Sequence, residues 1–483
     1  LSNDVPLLSP LTTCLNLQQP VPPRRQTSDC TMLSTATRSR ALQRSVRRVL
    51  RSPRRCLSEV AGADDEGEAT KQPARKKPFE LPVTYEDVSR AYYRIRSGIV
   101  RSTTSYSETL SALCDCDVYL KRDFEQASGS FKERGARNAL MLLSEEKKSK
   151  GVVAASAGNH ALALAYHGTK LGVPVTVVMP VTAPMTKVER SRKYGAEVLL
   201  KGAHIGEAKE FAMETFPDRS YINGYDDPEI IAGAGSLAIE VLEEVPDMDV
   251  IVVPVGGAGL IAGVSLATKT LKPDAQVIGV EPDNVASYSA AVKAGKPVHE
   301  FIAGTLADGL AVPMVGQTAF EVARHYVDST VCVNEALVSI AVLRLLEEEK
   351  IVVEGGGATS LAAMLPGGPL HGTMAGKKVV LPLCGGNIDT TVLGRIIDRG
   401  LAADMRMIRF TATVSDRPGG IAVLSRLLAD LGVSIKDIYH ERAWLHSRVD
   451  QVQVKCVVET TGKEHSDKVM DTLLENGYEV QTW

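Results

Sequence analysis

Short apolar runs alternate with longer stretches of helical periodicity over most of the chain after residue 80. The apolar runs are rich in Val, Ile and Ala and cover residues 151–155, 173–179, 250–255, 277–280 and 379–383. Stretches with apolar residues at three- and four-residue spacing follow at residues 158–171, 184–194, 259–270 and 284–294. Because buried parallel strands are apolar throughout and are joined by crossover helices, this alternation predicts an α/β fold with parallel sheets.

The pattern changes near residues 399–403, where we predict a break between domains. Beyond it, strands are predicted at residues 408–415, 433–441 and 449–458, and helices at about 418–431 and 465–476. Strands and helices in this order predict a separate βαββαβ domain over residues 403–483.

The segment before residue 80 differs in composition from the rest of the chain. Residues 32–58 contain eight arginines with interleaved Ser and Thr, and no Asp or Glu. Leu42, Val46 and Val49 fall near helical spacing between the arginines and give a basic amphipathic face. This composition is typical of a mitochondrial import peptide, and a disordered basic arm that binds nucleic acid is the alternative. We therefore predict a mitochondrial matrix location after removal of this presequence.

The other parts of the N-terminal segment show no periodicity that predicts packed structure. Residues 1–31 are rich in Pro, Ser and Gln, and residues 59–78 form a polar, charged linker. We expect residues 1–79 to be disordered and the natural chain to start at Met32. Ordered structure is expected to begin near Pro82 with an amphipathic helix.

Length and composition limit the classes of function. The chain has 483 residues, of which 44% are hydrophobic and 23% are charged, and its formal net charge is -3. These values are ordinary for α/β proteins and predict at least two folded units. The small net charge predicts no general attraction to nucleic acid or to membranes, and no apolar stretch approaches the ~20 residues that span a bilayer. We expect a small-molecule ligand.

The cysteines do not predict a disulfide or zinc framework. Cys114 and Cys116 are too close in sequence for an ordinary disulfide, and no second Cys/His pair follows them. We therefore expect reduced thiols.

A glycine-rich segment at residues 256–259 predicts a phosphate site. Its sequence, Gly-Gly-Ala-Gly, follows a predicted buried strand and opens a helix, so its backbone amides and the helix dipole can face an anion. A dinucleotide site would need a Gly-x-Gly-x-x-Gly pattern, which is absent, although Glu281 lies at the distance expected for its acidic residue. Dinucleotide binding and a simple strand-to-helix turn are the alternatives.

Two further polar turns follow predicted strands. Ser156 opens the turn Ser-Ala-Gly-Asn-His before a helix, where side chains and backbone amides can hold a carboxylate. A plain N-cap is the alternative there. Cys384 opens Cys-Gly-Gly-Asn after another strand, at the sheet edge where α/β proteins bind ligands. On its own, this second segment predicts only a turn.

Lys132 lies in the segment Ser-Gly-Ser-Phe-Lys-Glu-Arg at residues 128–134. A single lysine near a helix start is usually a solvated surface residue. A buried amine together with a phosphate site in the same chain instead suggests pyridoxal phosphate.

Taken in order, these segments resemble the fold type II pyridoxal-phosphate enzymes, and among them the threonine/serine dehydratases. The resemblance covers residues 82–400 and includes a further segment, Thr-Leu-Ala-Asp-Gly-Leu-Ala-Val at 305–312. It implies a tryptophan synthase beta-like fold, with two open twisted parallel sheets in a catalytic domain over residues 80–402. A small subdomain, at about residues 126–225, is then inserted in the large one.

The resemblance also implies the roles of the site residues. Lys132 carries the cofactor, Phe131 packs against its ring, Asn159 bonds the ring hydroxyl, and Cys384 faces the pyridine nitrogen. The cofactor phosphate is bound by Gly256, Gly257, Ala258 and Gly259. The substrate carboxylate is expected at Ser156, Ala157, Gly158, Asn159 and His160.

The implied reaction is a β-elimination from an amino acid. The substrate displaces Lys132, and the freed amine, with a pKa lowered by burial, removes the α-proton. Loss of the β-hydroxyl then gives ammonia and a 2-keto acid, which is 2-oxobutanoate from L-threonine and pyruvate from L-serine. A thiol at Cys384 does not hold the pyridine nitrogen protonated as a carboxylate would, which favours elimination over transamination.

Two other functions are the alternatives, a serine racemase with side dehydratase activity and a non-catalytic amino-acid sensor. Serine racemases have a serine at the position of Ala157 that serves the opposite face of the α-carbon, so a two-base racemase would lack its second base here. The presence of Lys132, Asn159 and Cys384 argues against the sensor.

Two positions depart from these relatives in other ways. Their divalent-metal site uses a glutamate, matched by Glu281, and an aspartate six residues later, replaced by Ser287, so we predict no metal site. Ala258 interrupts the glycine loop, and its methyl group must point away from the phosphate.

Residues 408–483 resemble an ACT domain, with Asp-Arg-Pro-Gly-Gly at 416–420 joining the first strand to the first helix. The resemblance implies pairing with another copy in a homo-oligomer. It also implies an amino-acid effector held at Asp416, Pro418, Gly419 and Gly420. A purely oligomerising module is the alternative.

Overall fold

The computed structural model describes residues 81–442 and 448–482. The predicted import peptide at residues 32–58, the expected start at Met32 and the expected disorder of residues 1–79 lie outside the described residues. The described residues form three β-sheets with helices packed on them.

The described ranges contain fourteen strands and sixteen α-helices. The strands are β1 (Thr104–Tyr106), β2 (Asp117–Lys121), β3 (Val152–Ala155), β4 (Val175–Met179), β5 (Glu197–Leu200), β6 (Ser220–Tyr221), β7 (Val250–Pro254), β8 (Gln276–Pro282), β9 (Ser329–Val333), β10 (Lys378–Pro382), β11 (Met407–Ser415), β12 (Ser434–Glu441), β13 (Gln451–Glu459) and β14 (Glu479–Thr482). The helices are α1 (Tyr85–Ile95), α2 (Glu108–Cys114), α3 (Lys132–Leu142), α4 (Glu145–Lys150), α5 (Asn159–Leu171), α6 (Met185–Lys193), α7 (Ile205–Thr215), α8 (Pro228–Glu244), α9 (Gly259–Leu271), α10 (Ser287–Ala294), α11 (Gln317–Tyr326), α12 (Glu335–Glu348), α13 (Gly355–Met364), α14 (Thr390–Ala403), α15 (Gly420–Asp430) and α16 (Lys463–Glu475). Among these helices, none combines the length and the apolar content that crossing a bilayer requires.

Helix α1 begins close to Pro82, where we expected ordered structure to start. The Thr84 hydroxyl accepts the backbone N–H of Asp87 at 3.3 Å, and the Asp87 carboxylate accepts the Thr84 N–H at 2.9 Å. This reciprocal capping satisfies two N–H groups that the first helical turn leaves free.

The largest sheet has the strand order β1-β2-β10-β7-β8-β9. Strand β1 is antiparallel to β2, and the other neighbours are parallel. A second sheet, with the order β5-β4-β3-β6, is parallel throughout and is formed by chain between β2 and β7. This architecture confirms the predicted α/β fold with parallel-rich sheets.

Strand β7 shows why the predicted strands are apolar throughout. All five of its residues are buried. Ile251 and Val253 pack into a core with residues of α1, α8, α9 and α11, whereas Val250 and Val252 pack into another with residues of α2, α12 and α13. Because alternate side chains of a strand point to opposite faces, a sheet covered on both faces requires apolar residues at every position.

The third sheet is antiparallel, with the order β12-β13-β11-β14. Buried and half-buried residues alternate along β13, as expected for a sheet that is covered on one face. Helices α15 and α16 contribute Leu424 and Leu473 to its core, where they join Phe410 and Cys456 from the strands. The element order β11-α15-β12-β13-α16-β14 confirms the predicted βαββαβ arrangement.

The predicted break between domains near residues 399–403 coincides with the last turn of helix α14. Helix α14 is continuous from Thr390 to Ala403, and residues 404–406 connect it to β11. A Cβ on Gly400 would lie 3.0 Å from the carbonyl oxygen of Ser339 in α12. This glycine therefore permits close packing of α14 on α12 and does not end the helix.

Candidate active site

Lys132 is the first residue of α3 and is partly buried between chain segments that follow β6 and β10. The backbone N–H of Phe131 donates to the carbonyl of Cys384 at 2.9 Å. The Lys132 amine donates to the carbonyl of Gly224 at 2.6 Å and lies 5.0 Å from the centre of the Phe131 ring. The structure thus brings Phe131, Lys132 and Cys384 together.

The surroundings of Lys132 favour its neutral form. Removal from water lowers the pKa of the amine to about 8, and the nearby Cys384 and Glu354 oppose this only in part. A large fraction of the amine is therefore unprotonated near pH 8. A neutral amine can accept a proton or form a covalent bond to a carbonyl carbon.

Cys384 is a buried thiol at the end of β10. Burial raises its pKa well above the ordinary value, and the charges of Asp123 and Glu354 act in the same direction. The thiol donates weakly to the carbonyl of Pro382 at 3.5 Å. It therefore presents a neutral sulfur atom, without a negative charge, to this part of the site.

The loop at residues 256–259 connects β7 with α9. Ala258 has a φ of 71°, in the left-handed region, which turns the chain sharply before the helix. Within the described part of the chain, the backbone N–H groups of these four residues have no acceptor. Free N–H groups at the positive end of a 13-residue helix form an anion site.

Tyr225 closes one side of this loop. A Cβ on Gly257 would lie 2.3 Å from Cγ of the Tyr225 ring, and a Cβ on Gly259 would lie 2.3 Å from the Tyr225 carbonyl oxygen. Only glycine fits at both positions. Because the neighbouring Gly224 carbonyl binds Lys132, this short segment links the lysine to the anion loop.

The turn at residues 156–160 connects β3 with α5. The Ser156 hydroxyl accepts the N–H of Gly158 at 3.3 Å, and a Cβ on Gly158 would meet no atom within 4 Å. The turn therefore borders open space that a ligand can fill. The His160 ring has another role, because its Nε2 atom donates to the Ile222 carbonyl at 3.1 Å and burial lowers its pKa to about 3.

The amide of Asn159 is oriented by two side chains. Its Nδ2 atom donates to Oε1 of Glu354 at 2.6 Å, and its Oδ1 atom accepts from Nδ2 of Asn387 at 2.9 Å. Asn387 also donates to the carbonyl of Ser128 at 2.7 Å. Since a side-chain amide has two N–H donors, Asn159 keeps one N–H for a further acceptor.

The sequence analysis did not identify Gly224, Tyr225 or Glu354 as site residues. Glu354 offered a signal, because it is the single charged residue in segment 351–365 and buried carboxyl groups are rare. Gly224 and Tyr225 lie in a short polar turn of ordinary composition. Their contacts with Lys132 and with the anion loop arise only on folding.

Glu281 stabilises the start of α10. Its carboxylate accepts the backbone N–H groups of Tyr288 at 2.7 Å and Ser289 at 2.9 Å, and the Ser289 hydroxyl at 2.6 Å. Ser287, the first residue of that helix, donates its hydroxyl to the Val312 carbonyl. Over residues 81–442 and 448–482, no three His, Cys, Asp or Glu side chains are grouped so as to hold a metal ion.

The four residues predicted to bind an effector lie together in the turn between β11 and α15. One carboxylate oxygen of Asp416 accepts from Nε of Arg442 at 3.0 Å and from Nη2 at 2.8 Å. Pro418 precedes Gly419, which has a φ of 100°, and Gly420 begins α15. The turn thus places a paired carboxylate beside the N-terminus of a helix.

These groups fit pyridoxal phosphate. The loop at residues 256–259 offers free N–H groups for the phosphate, and Asn159 offers an N–H for the ring hydroxyl. Lys132 offers a partly neutral amine for the aldehyde. Gly158 borders open space in which a substrate can lie beside the cofactor.

Curated proteins of similar sequence include L-threonine ammonia-lyases. The enzyme of Thermotoga maritima is 39% identical over 401 residues, which is 83% of this chain and 99% of the relative. The enzyme of Geobacter sulfurreducens is 37% identical over 402 residues, again 83% of this chain and 99% of the relative. The catabolic L-threonine dehydratase TdcB of Escherichia coli strain K12 is 38% identical over 320 residues, with 66% of this chain and 97% of the relative covered.

Solved structures give the same picture of the fold. The processed form of threonine deaminase isoform 2 from Solanum lycopersicum has a TM-score of 0.62 at 32% identity and covers 67% of this chain and 98% of its own. The serine racemase of Dictyostelium discoideum has a TM-score of 0.60 at 33% identity and covers 64% of this chain and 99% of its own. Residues 95–385 match the family model described as pyridoxal-phosphate dependent enzyme. With its lysine, its anion loop and this match, the chain belongs to the pyridoxal-phosphate dependent enzymes.

Proposed function

We propose that this protein is an ammonia-lyase that converts L-threonine to 2-oxobutanoate and ammonia, and L-serine to pyruvate and ammonia. The observation that carries the proposal is the Lys132 amine, whose pKa is lowered to about 8 and which is linked through Gly224 and Tyr225 to the anion loop. The names of relatives at 37% to 39% identity support the same reaction.

Lys132 is the proposed base for the α-proton. Bound pyridoxal phosphate supplies an electron sink for the electron pair that this proton leaves behind. The Lys132 amine accepts the proton because its neutral form is well populated near pH 8. The Gly224 carbonyl, 2.6 Å from the amine nitrogen, holds the amine in position.

The turn at residues 156–160 is the proposed site for the substrate carboxylate. A negative group at this turn is stabilised by the backbone N–H groups at the start of α5 and by the Ser156 hydroxyl. Binding at this turn fixes one end of the substrate relative to Lys132.

The neutral thiol of Cys384 supports elimination as the outcome. A carboxylate at this position would hold a proton on the pyridine nitrogen, whereas a thiol with a pKa well above its ordinary value does not. Less negative charge would then be drawn into the ring of bound pyridoxal phosphate. Loss of the β-hydroxyl, as water with the proton taken up by Lys132, would be favoured over return of that proton to the α-carbon. Transamination is disfavoured for the same reason.

A serine racemase is the second candidate, because two solved serine racemases share the fold at 33% and 31% identity. Ala157 argues against it. Its methyl group packs against the core of the second sheet and carries no group that exchanges a proton. Accumulation of D-serine from L-serine in the purified holoenzyme would contradict this argument.

Keto-acid formation from L-threonine and from L-serine, with added pyridoxal phosphate, tests the proposed reaction. We expect both substrates to give product and Lys132→Ala to give none. Bound cofactor without keto acid from either substrate would refute the lyase, and a protein that binds no cofactor would instead support the amino-acid sensor.

We also propose that the C-terminal βαββαβ region is an ACT domain that binds an amino-acid effector and pairs with a second copy. The Asp416 and Arg442 pair beside the N-terminus of α15 supports the effector site. Its carboxylate can bind the ammonium group of an amino acid, and its guanidinium can bind the carboxylate. Thermal unfolding with added amino acids tests this. At least one is expected to raise the unfolding temperature of the parent protein but not that of Asp416→Ala.

Delivery to mitochondria is a further proposal, supported by the arginine-rich composition of residues 32–58. A fluorescent reporter fused to residues 32–78 is expected to reach the mitochondrial matrix. A diffuse cytosolic signal would refute the import peptide.

A further inference from the structure

Glu354 is a buried carboxyl group in the wall of the candidate site. Its backbone N–H donates to the carbonyl of Gly385 at 2.9 Å, and its Oε1 atom accepts from Asn159 at 2.6 Å. A Cβ on Gly385 would lie 2.3 Å from that oxygen atom. The glycine that follows Cys384 therefore leaves the space that the carboxyl group occupies.

Stabilisation of the fold does not explain a carboxyl group at this position. Among the described residues Glu354 forms no ion pair, and its side chain is bonded by the Asn159 amide, with the backbone N–H of Asn387 also favouring its charged form. A glutamine would fill nearly the same volume without the free-energy cost of burying a group that can become charged. The choice of a carboxyl group thus points to a role for its proton.

We propose that Glu354 is a positioning residue for the ring hydroxyl of the cofactor and acts through Asn159. A charged Glu354 fixes one N–H of the Asn159 amide and leaves the other for the ring oxygen. Protonation removes the charge-assisted acceptor, which weakens this arrangement and changes the hydrogen bond at the ring. The inference rests on the proposed function in one respect, since it requires pyridoxal phosphate in this site.

Four ionisable groups act on Glu354 or respond to it. Burial and the negative charge of Asp308 raise the pKa of Glu354 to about 7, against the opposing effects of the Asn159 hydrogen bond and of Lys187. Asp308 and Lys187 form an ion pair at 2.7 Å, so their effects largely offset each other. Lys132 and Cys384 respond to the charge of Glu354.

The test is a pH titration of the absorbance of the bound cofactor in the holoenzyme without substrate. The parent protein is expected to show a transition with a midpoint near pH 7, and Glu354→Gln is expected to lack it. Glu354→Asp keeps a titratable group and is expected to keep a transition with a shifted midpoint. In Glu354→Gln, kcat for L-threonine is expected to fall by up to about 100-fold and to lose its pH dependence near 7.

Glu281→Gln is the matched control. Glu281 is also a buried carboxyl group whose pKa is raised by burial, but its partners are the start of α10 and not Asn159. This variant is expected to keep the transition of the parent protein. If Glu354→Gln does not fold, Asn159→Ala breaks the same link from the other side and is expected to lose the transition.

A transition of unchanged midpoint in Glu354→Gln, or its absence from the parent protein, would overturn the proposal. A transition retained in Asn159→Ala would show that Glu354 does not act through that amide and would also overturn it. The titration needs no substrate. Failure to form keto acid, together with an intact Glu354-dependent transition, would therefore refute the proposed reaction and leave this inference standing.

Discussion

Lys132 and Arg134 lie two residues apart at the start of α3, and their surroundings have opposite effects on their charge. The Arg134 guanidinium makes two bonds to Asp123, at 2.7 and 2.8 Å, and two to Glu240, at 2.8 and 2.7 Å. Burial alone would lower its pKa, yet the two carboxylates raise it above the ordinary value. Lys132 has a carbonyl as its hydrogen-bond partner, and its pKa falls to about 8.

The difference shows that the partners of a buried cation, more than burial itself, decide its charge. Lys121 also binds Glu240 at 2.8 Å, so the buried cluster of Lys121, Asp123, Arg134 and Glu240 has two charges of each sign. We call these four residues the paired cluster. It holds β2, α3 and α8 together, whereas Lys132, at the start of the same helix, has no ion-pair partner among the described residues and is free to react.

Replacing the Lys132 amine is expected to have the largest effect, and this effect is on catalysis. Lys132→Arg keeps a positive charge but provides no neutral amine near pH 8, since a guanidinium stays protonated. We expect kcat for L-threonine to fall by about 100- to 10,000-fold. The urea midpoint of the apoprotein is expected to change little. Activity within tenfold of the parent protein would show that another group removes the α-proton.

Breaking the paired cluster is expected to affect stability first. Arg134→Met leaves the carboxylates of Asp123 and Glu240 buried without their main partner. We expect a loss of about 3–5 kcal/mol in the free energy of unfolding, measured with urea. Lys148→Ala removes an exposed ion pair on α4 and serves as the control, with an expected change below about 1 kcal/mol. Equal effects of the two substitutions would contradict the contrast drawn here.

The lowered pKa of Lys132 predicts a pH-dependent stability of the apoprotein. Between its folded value of about 8 and its ordinary value of 10.5, the unfolded chain binds a proton that the folded chain does not. Stability is therefore expected to rise with pH across this window, by up to about 3 kcal/mol from this residue. The difference between the parent protein and Lys132→Met in urea unfolding at each pH isolates the contribution. A difference that does not vary with pH would exclude a lowered pKa.

The smallest expected effect concerns the positive φ of Ala258 in the anion loop, and it tests whether the backbone there is strained. Ala258→Gly relieves a positive φ but adds freedom to the unfolded chain, so we expect a gain in stability of at most about 1 kcal/mol. Cofactor affinity is expected to stay unchanged in this variant.

Gly257→Ala would place a Cβ 2.3 Å from the Tyr225 ring and is expected to weaken cofactor binding, measured by titration. Equal affinities of the two variants would argue against the loop as the phosphate site.

The sequence was sufficient to predict the strands that are buried on both faces. Strands β3, β4, β7, β8 and β10 each consist mainly of apolar residues, and each is followed by a turn and a helix, as in a parallel sheet with crossover helices. Strand β2 was missed because it contains Lys121, whose partner Glu240 lies 119 residues away. Helix α13 was missed because it begins with three glycines, and tertiary packing overrides their poor helix propensity.

The parts of the candidate site that lie in local turns could be predicted from the sequence. Lys132, the turn at residues 156–160 and the loop at residues 256–259 each stand at the end of a strand or the start of a helix, with side chains that signal the turn. Glu354 and Tyr225 join the site through contacts between distant segments. No local pattern contains such contacts, so the hydrogen bond of Asn159 to a carboxyl group became visible only in the folded chain.

The zero net charge of the paired cluster limits how its sequence can change over generations. Losing any one of its four members leaves a buried charge of the other sign without its partner. Exchanging one acid and one base together for apolar residues does not. Sequence changes at these positions are therefore expected to occur as linked substitutions. Proteins with only one of the two substitutions are expected to be less stable and to persist only briefly in evolution. An alignment of relatives is expected to show β2, α3 and α8 covarying at these sites.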